Sequence, residues 1–167
     1  MRLSTKGRYA VMAMVDLANR SLGKPVALAD IAESQEISLS YLEQLFARLR
    51  KGGLIKSVRG PGGGYMLAHA PEQTRISDII LAVDEPIRAT RCMPGVPSGC
   101  RSNKTRCLTH DLWEELGHQI HIYLSSISIA DICKHRIIAS SQLAQISQFP
   151  AGDATEALEG VSVAANR

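Results

Sequence analysis

A run of Gly60, Pro61, Gly62, Gly63 and Gly64 separates two short strand-like stretches, residues 54–59 (Leu-Ile-Lys-Ser-Val-Arg) and 65–67 (Tyr-Met-Leu). β-branched and apolar residues on either side of a glycine-rich break predict a β-hairpin with an open tip, because glycine takes positive φ without penalty. A phosphate-cradling nucleotide loop is the rival reading. It requires a terminal Gly-Lys-Ser/Thr and a helix directly behind, and this run has neither.

What precedes the hairpin is helical in pattern. Residues 8–20 carry apolar side chains almost all round, with Ser4 and Thr5 ahead as possible caps, and predict a buried helix. Gly23-Lys24-Pro25 breaks the chain. A short second helix begins at Leu28, with Leu28, Ile31 and Ala32 on one face. In the third, Leu42, Leu45, Phe46 and Leu49 recur at helical spacing, and either Ser38 or a Ser40/Glu43 capping box opens it. Two short helices joined by a tight turn and followed by a hairpin predict a winged helix-turn-helix, with Arg59 at the wing tip able to enter a minor groove. Ile76, Ile79, Ile80 and Val83 predict a short helix that closes this first domain near Asp84.

The net charge of +3 would not by itself suggest a nucleic-acid partner. Its placement matters more: residues 48–59 hold Arg48, Arg50, Lys51, Lys56 and Arg59 with no acidic residue among them. No apolar run reaches the roughly 18 residues of a membrane span, and no signal-peptide core follows the N-terminus, so the expectation is a cytoplasmic protein with no membrane partner. In a reducing compartment, four cysteines read as ligands or free thiols rather than disulfides.

Three of those cysteines crowd into one loop with a histidine: Cys92, Cys100, Cys107 and His110, spaced Cys-x7-Cys-x6-Cys-x2-His. Three thiolates and one imidazole make a four-ligand metal set. Zinc rewards short chelate loops, and only Cys107 and His110 form one. A [2Fe-2S] cluster divides its ligands over two irons, which suits wide spacing. With a neutral imidazole the oxidised cluster nets −1 rather than the −2 of four thiolates, so histidine raises the potential and, being protonatable, loosens the cluster. His110 is expected in the first turn of the following helix, after Thr109 as N-cap. His69, His118, His121 and His135 lie outside the loop, and Cys133, without ligand spacing, reads as a small buried residue.

From about Leu108 to Cys133 a broad apolar stripe (Leu112, Trp113, Leu116, Ile120, Tyr123, Leu124, Ile127) predicts one long amphipathic helix. Its roughly 25 residues at 1.5 Å each make a rod of about 37 Å, more than this small domain needs, so a second copy is the expected cover. The alternative is that the helix folds back on its own domain. Residues 141–167, rich in Ser, Gln, Ala and Gly, read as disordered.

Four stretches together carry a resemblance: Arg2-Leu-Ser-Thr-Lys-Gly-Arg-Tyr-Ala-Val11, Ile37-Ser-Leu-Ser-Tyr-Leu-Glu-Gln-Leu-Phe46, Ser57-Val-Arg-Gly-Pro-Gly-Gly-Gly-Tyr65, and Ala89-Thr-Arg-Cys92 with Cys107-Leu-Thr-His110. Over roughly residues 1–130 the chain closely resembles the iron-sulfur cluster regulators of the IscR type, a family of winged-helix transcription factors. The resemblance implies a homodimer on a two-fold DNA operator, a cluster held by Cys92, Cys100, Cys107 and His110 and loaded by the Fe-S assembly machinery, and an output that controls Fe-S assembly genes. It suggests that forms with and without the cluster bind DNA, at different sites. It also carries over Ser38, Ser40, Tyr41, Glu43, Gln44 and Arg59 as DNA-contacting residues. Two departures stand out: the spacers before Cys100 and Cys107 are longer than the family's usual five residues, and Glu36 replaces a glycine in the helix-turn-helix turn.

The expected fold is therefore mainly α with a small β-hairpin wing: a winged helix-turn-helix (1–84), a cluster-binding loop (85–110), a long dimerisation helix (108–135) and a disordered tail (136–167). Two other readings differ in class. One is a winged-helix regulator or interaction module with a structural zinc in the Cys3His loop. The other is a thiol redox enzyme, which would want Cys-x-x-Cys beside a sheet, and the chain offers neither.

Overall fold

The computed structural model describes residues 4–21, 23–87, 90, 92, 100, 101, 103 and 105–137. The elements are α1 (Thr5–Ser21), α2 (Leu28–Gln35), α3 (Leu39–Lys51), β1 (Ile55–Val58), β2 (Gly64–Leu67), α4 (Ile76–Ala82), α5 (His110–Ser126) and α6 (Ile129–Cys133). Residues up to Arg136 form one unit and Ile137–Arg167 fall outside it; the expected tail lies, from residue 138 onward, outside the described residues.

Helix α1 is the scaffold. It buries Gly7, Ala10, Ala13, Met14 and Leu17, and the small residues among these let α4 and α6 pack closely on it. Helix α3 buries Leu42, Leu45, Phe46 and Leu49 in the same core, where they meet Ile79, Ile80 and Val83 of the α4 region. No membrane-spanning helix is present among the described residues.

Between α2 and α3 the chain turns through Glu36, which takes φ 53° and ψ 40°. This left-handed conformation lets the Ile37 N–H reach back to the Ala32 carbonyl at 3.1 Å and ends α2, but it costs a side-chain-bearing residue about 1 kcal/mol relative to glycine. Helix α3 then starts at Leu39 with Ser38 in the N-cap position, without a side-chain cap bond. The Ser40/Glu43 capping box is thus not formed: Ser40 already lies inside the helix, and the Glu43 carboxylate is exposed.

The wing is an antiparallel pair, Ile55 opposite Leu67 and Val58 opposite Gly64. Gly60 (φ 108°) and Gly62 (φ 71°) make its tip. Gly64 answers a second demand, because a side chain there would collide with the Val26 carbonyl, where residue 26 pairs with Tyr65. Tyr65 in turn meets Phe46 edge to face at 4.9 Å, tying the wing to α3.

The single long helix expected over 108–133 is two. Helix α5 ends at Ser126, Ile127 is extended (φ −95°, ψ 128°), and Ser128 caps α6 through a reciprocal box with Asp131. The break is held from outside. Ile76 N–H donates to the Ile127 carbonyl and Ile129 N–H to the Thr74 carbonyl, both at 3.0 Å, so residues 127–129 satisfy their backbone against the start of α4 rather than in a helix. Ile129 is then fully buried and α6 packs on α1. The end of the stripe therefore folds back on its own domain, while α5, about 25 Å long at 1.5 Å per residue, fully buries only His110, leaves Trp113, Leu116, Ile120 and Leu124 half-buried, and exposes Leu112, Ile122 and Tyr123.

Candidate metal centre and nucleic-acid interface

The metal candidates come from two kinds of chain. Cys92, Cys100 and Cys107 lie in irregular segments, and His110 opens α5. One ligand atom from each lies within 4.8 Å of every other. Cys92 Sγ and Cys107 Sγ are 3.8 Å apart, and the Cys107 N–H donates to Cys100 Sγ at 3.3 Å. The three sulfurs border a cavity of about 310 Å³ lined also by Thr90, Arg101 and Trp113.

The imidazole is the most telling member. His110 is 2% exposed, and neither ring nitrogen makes a hydrogen bond, although Glu114 Oε2 stands 3.4 Å from Nε2. A buried polar group left without a partner costs about 1–3 kcal/mol, and a metal bond to one nitrogen is what such an arrangement lacks. The thiols are unequal as well. Hydrogen bonds involving Cys100 and Thr109 bring the Cys107 thiol down to about 7. At Cys92 the Thr90 hydroxyl acts in the same direction but is outweighed by burial and the two neighbouring thiols, which push that thiol up. The residues present fit a group that takes thiolates and one neutral nitrogen. His69, His118, His121 and His135 are all exposed and join no such cluster among the described residues. Cys133 is half-buried against the core, with its thiol raised by burial.

In the helix-turn-helix and wing, Ser38, Ser40, Glu43 and Gln44 are exposed around the N-terminal half of α3, and Arg59 is exposed beside the wing tip. Tyr41 differs from them. It is half-buried, its ring edge to face with Tyr9 at 6.2 Å, so it braces α3 against α1 and offers only part of its surface. Arg50, Lys51, Lys56 and Arg59 are exposed without an ion-pair partner among the described residues. Arg48 pairs with Asp84 just beyond α4, a contact across 36 residues that spacing along the chain could not reveal. Sequence reasoning also missed the Tyr9 brace and the Ser128 box. Only the last had a local signal, Ser-x-x-Asp. Ala89 and Arg91, part of the resemblance before Cys92, lie outside the described residues.

Comparison with known proteins agrees with this architecture. The HTH-type transcriptional regulator IscR of Xenorhabdus nematophila is 54% identical over 136 residues, 81% of each chain. The solved structure of T. potens IscR superposes with a TM-score of 0.66 at 38% identity, covering 91% of this chain and 94% of that one. CymR, described as the global cysteine regulator of B. subtilis, superposes equally well at 32% identity over 81% of this chain and 98% of its own. These relatives are transcription regulators, not enzymes, and share the mainly helical fold with its two-stranded wing. Residues 3–135 match the family model for Rrf2, described as an iron-dependent transcriptional regulator, and the chain is a DNA-binding transcription regulator of the Rrf2 family, of the IscR type.

Proposed function

We propose that the chain holds a [2Fe-2S] cluster on Cys92, Cys100, Cys107 and His110 and reports its presence to DNA, controlling genes for Fe-S cluster assembly. The observation that carries this reading is the convergence of three thiols on a buried, unpartnered imidazole at the start of α5. When bound, the group supplies a redox-active assembly sensitive to iron supply and oxidants. The chain's own part is to hold it: hydrogen bonds at Cys107 ease loss of its thiol proton, and the N-terminus of α5 favours the resulting negative charge.

The reader is α3 with the wing. Helix α3 enters the major groove through Ser38, Ser40, Glu43, Gln44 and the open edge of Tyr41, Arg59 reaches the adjacent minor groove, and Arg50, Lys51 and Lys56 meet phosphates. Glu43 has no capping duty to explain it. Beside DNA its carboxylate accepts from cytosine N4 and is repelled where no cytosine faces it, so it selects among operators. Glu43→Ala therefore widens the set of sites bound, whereas a merely structural Glu43 leaves their ranking unchanged.

Two chains act together on a two-fold operator. Helix α5 leaves Leu112, Ile122 and Tyr123 exposed, and a second copy covers them. The setting is the cytoplasm, with the Fe-S assembly machinery as cluster donor. A structural zinc is the second reading, favoured by one observation. Tetrahedral donors about 2.3 Å from one zinc stand about 3.8 Å apart, and the present spread of at most 4.8 Å is close to that.

The test is DNA binding by protein with and without the cluster, and by Cys92→Ala, Cys100→Ala and Cys107→Ala, over a panel of operators at one salt concentration. Cluster loss is expected to change the ranking of operators, and each cysteine variant to match the cluster-free protein. Equal affinities at every site with and without the cluster would defeat the sensing role.

A further inference from the structure

We infer that Thr109 and Trp113 form a hydrogen-bond relay that tunes the metal centre through the Cys107 sulfur, with Trp113 the positioning residue for the Thr109 hydroxyl. Trp113 Nε1 lies 3.0 Å from Thr109 Oγ1, which lies 3.7 Å from Cys107 Sγ. An indole N–H can only donate, so Thr109 accepts there and keeps its own proton to give. A metal-bound thiolate can only accept. The direction is then set: Trp113 N–H to Thr109 O–H to Cys107 sulfur, each bond polarising the next.

The role of Thr109 is unusual for its position. It is the N-cap residue of α5, where a threonine hydroxyl ordinarily accepts from a backbone N–H of the first turn, yet it makes no such bond. Its hydroxyl is turned toward Cys107 instead. Trp113, one turn along α5, is on the same helical face and also lines the cavity bordered by the three cysteines. It is the only tryptophan in the chain.

The consequence rests on the cluster reading above. A proton donated to a ligand sulfur draws charge from it, which stabilises the more negative, reduced state and raises the potential of the one-electron couple. Thr109 is exposed, so water replaces part of a lost donor, and the shift is modest.

The experiment uses the full chain, purified anaerobically, as wild type, Thr109→Val, Thr109→Ser and Trp113→Phe. Midpoint potentials are read by titration with dithionite, and sulfur-to-metal charge-transfer bands by absorption. Thr109→Val is expected to lower the potential and move the bands to longer wavelength. Trp113→Phe should do the same to a smaller extent, and Thr109→Ser, which keeps the proton, should stay near wild type. An unchanged potential in Thr109→Val, or equal shifts in the Val and Ser variants, overturns the relay. A colourless wild type containing zinc would defeat the cluster reading instead. The relay is then read in cobalt(II)-substituted protein, where a charge-transfer shift in Thr109→Val but not in Thr109→Ser supports it and no shift in either overturns it.

Discussion

The helix-turn-helix region and α5 are both amphipathic helical structure, yet they use their apolar residues in opposite ways. In α3, Leu42, Leu45, Phe46 and Leu49 are at most 2% exposed. In α5, of equal length to α1, His110 is the one fully buried residue, while Leu112 is 60% and Tyr123 53% exposed. One region is finished by its own chain. In the function proposed above, the other is completed from outside, by a metal group at its first turn and by a second protomer along its length. On that proposal stability and signalling are separated: the helix-turn-helix would keep its shape with or without a cluster, while α5, next to the ligand group, has exposed apolar residues whose packing could change.

The largest effect that sharpens this contrast is expected in the core. Phe46→Ala removes a fully buried ring that also holds the wing through Tyr65, and should cost about 3–5 kcal/mol, read as a fall in Tm and in the denaturant midpoint. In α5, Leu112→Ala should leave the unfolding of dilute, monomeric protein nearly unchanged. It should instead weaken association by about 1.5–3 kcal/mol for each buried copy, measured by sedimentation over a concentration series. A variant that unfolds the monomer and leaves association intact would erase the distinction between the two regions.

A smaller effect is expected where α5 hands over to α6. Ser128→Ala removes the cap and should cost about 1 kcal/mol. Its partner makes the loss pH-dependent. Hydrogen bonds from the Ser128 hydroxyl, then the Ser128 backbone, hold Asp131 below its ordinary 3.8, so its contribution is present above that value and lost as pH falls through the lower folded-state value. The stability gap between wild type and Asp131→Ala should therefore be constant near neutrality and close below about pH 4. A gap that persists into strong acid would mean that the carboxylate is not what holds the turn. Of similar size but opposite sign, Glu36→Gly should stabilise the helix-turn-helix by up to about 1 kcal/mol by relieving the left-handed backbone, visible as a rise in Tm.

Much of the reader was legible because its signals are local. The spacing of Leu42, Leu45, Phe46 and Leu49 and the glycines at 60–64 each report on a few neighbouring residues. The convergence of Cys92, Cys100, Cys107 and His110 was legible for a different reason, since thiol and imidazole chemistry narrows what such residues can do together. What stayed hidden depends on distant partners. The apolar stripe runs through Ile127 without interruption, and only the backbone pairing with residues 74–76, some 50 positions earlier, makes Ser128 a cap rather than another turn of helix. Tyr41 looked like an open reading residue until Tyr9 met its ring, and Arg48 like one more charge of the basic stretch until Asp84 reached it. The Thr109 hydroxyl was expected at a helix start. That it faces Cys107 is a matter of side-chain geometry, which spacing along the chain does not encode.

The proposed function requires that the sulfurs of Cys92, Cys100 and Cys107 and the imidazole of His110 together hold a two-iron cluster. Its most direct test is the iron, acid-labile sulfide and zinc content of anaerobically purified full-length protein, taken with its visible spectrum. About two irons and two sulfides per chain with charge-transfer bands are expected, all lost in Cys92→Ala, Cys100→Ala and Cys107→Ala. A colourless protein with one zinc per chain would contradict it.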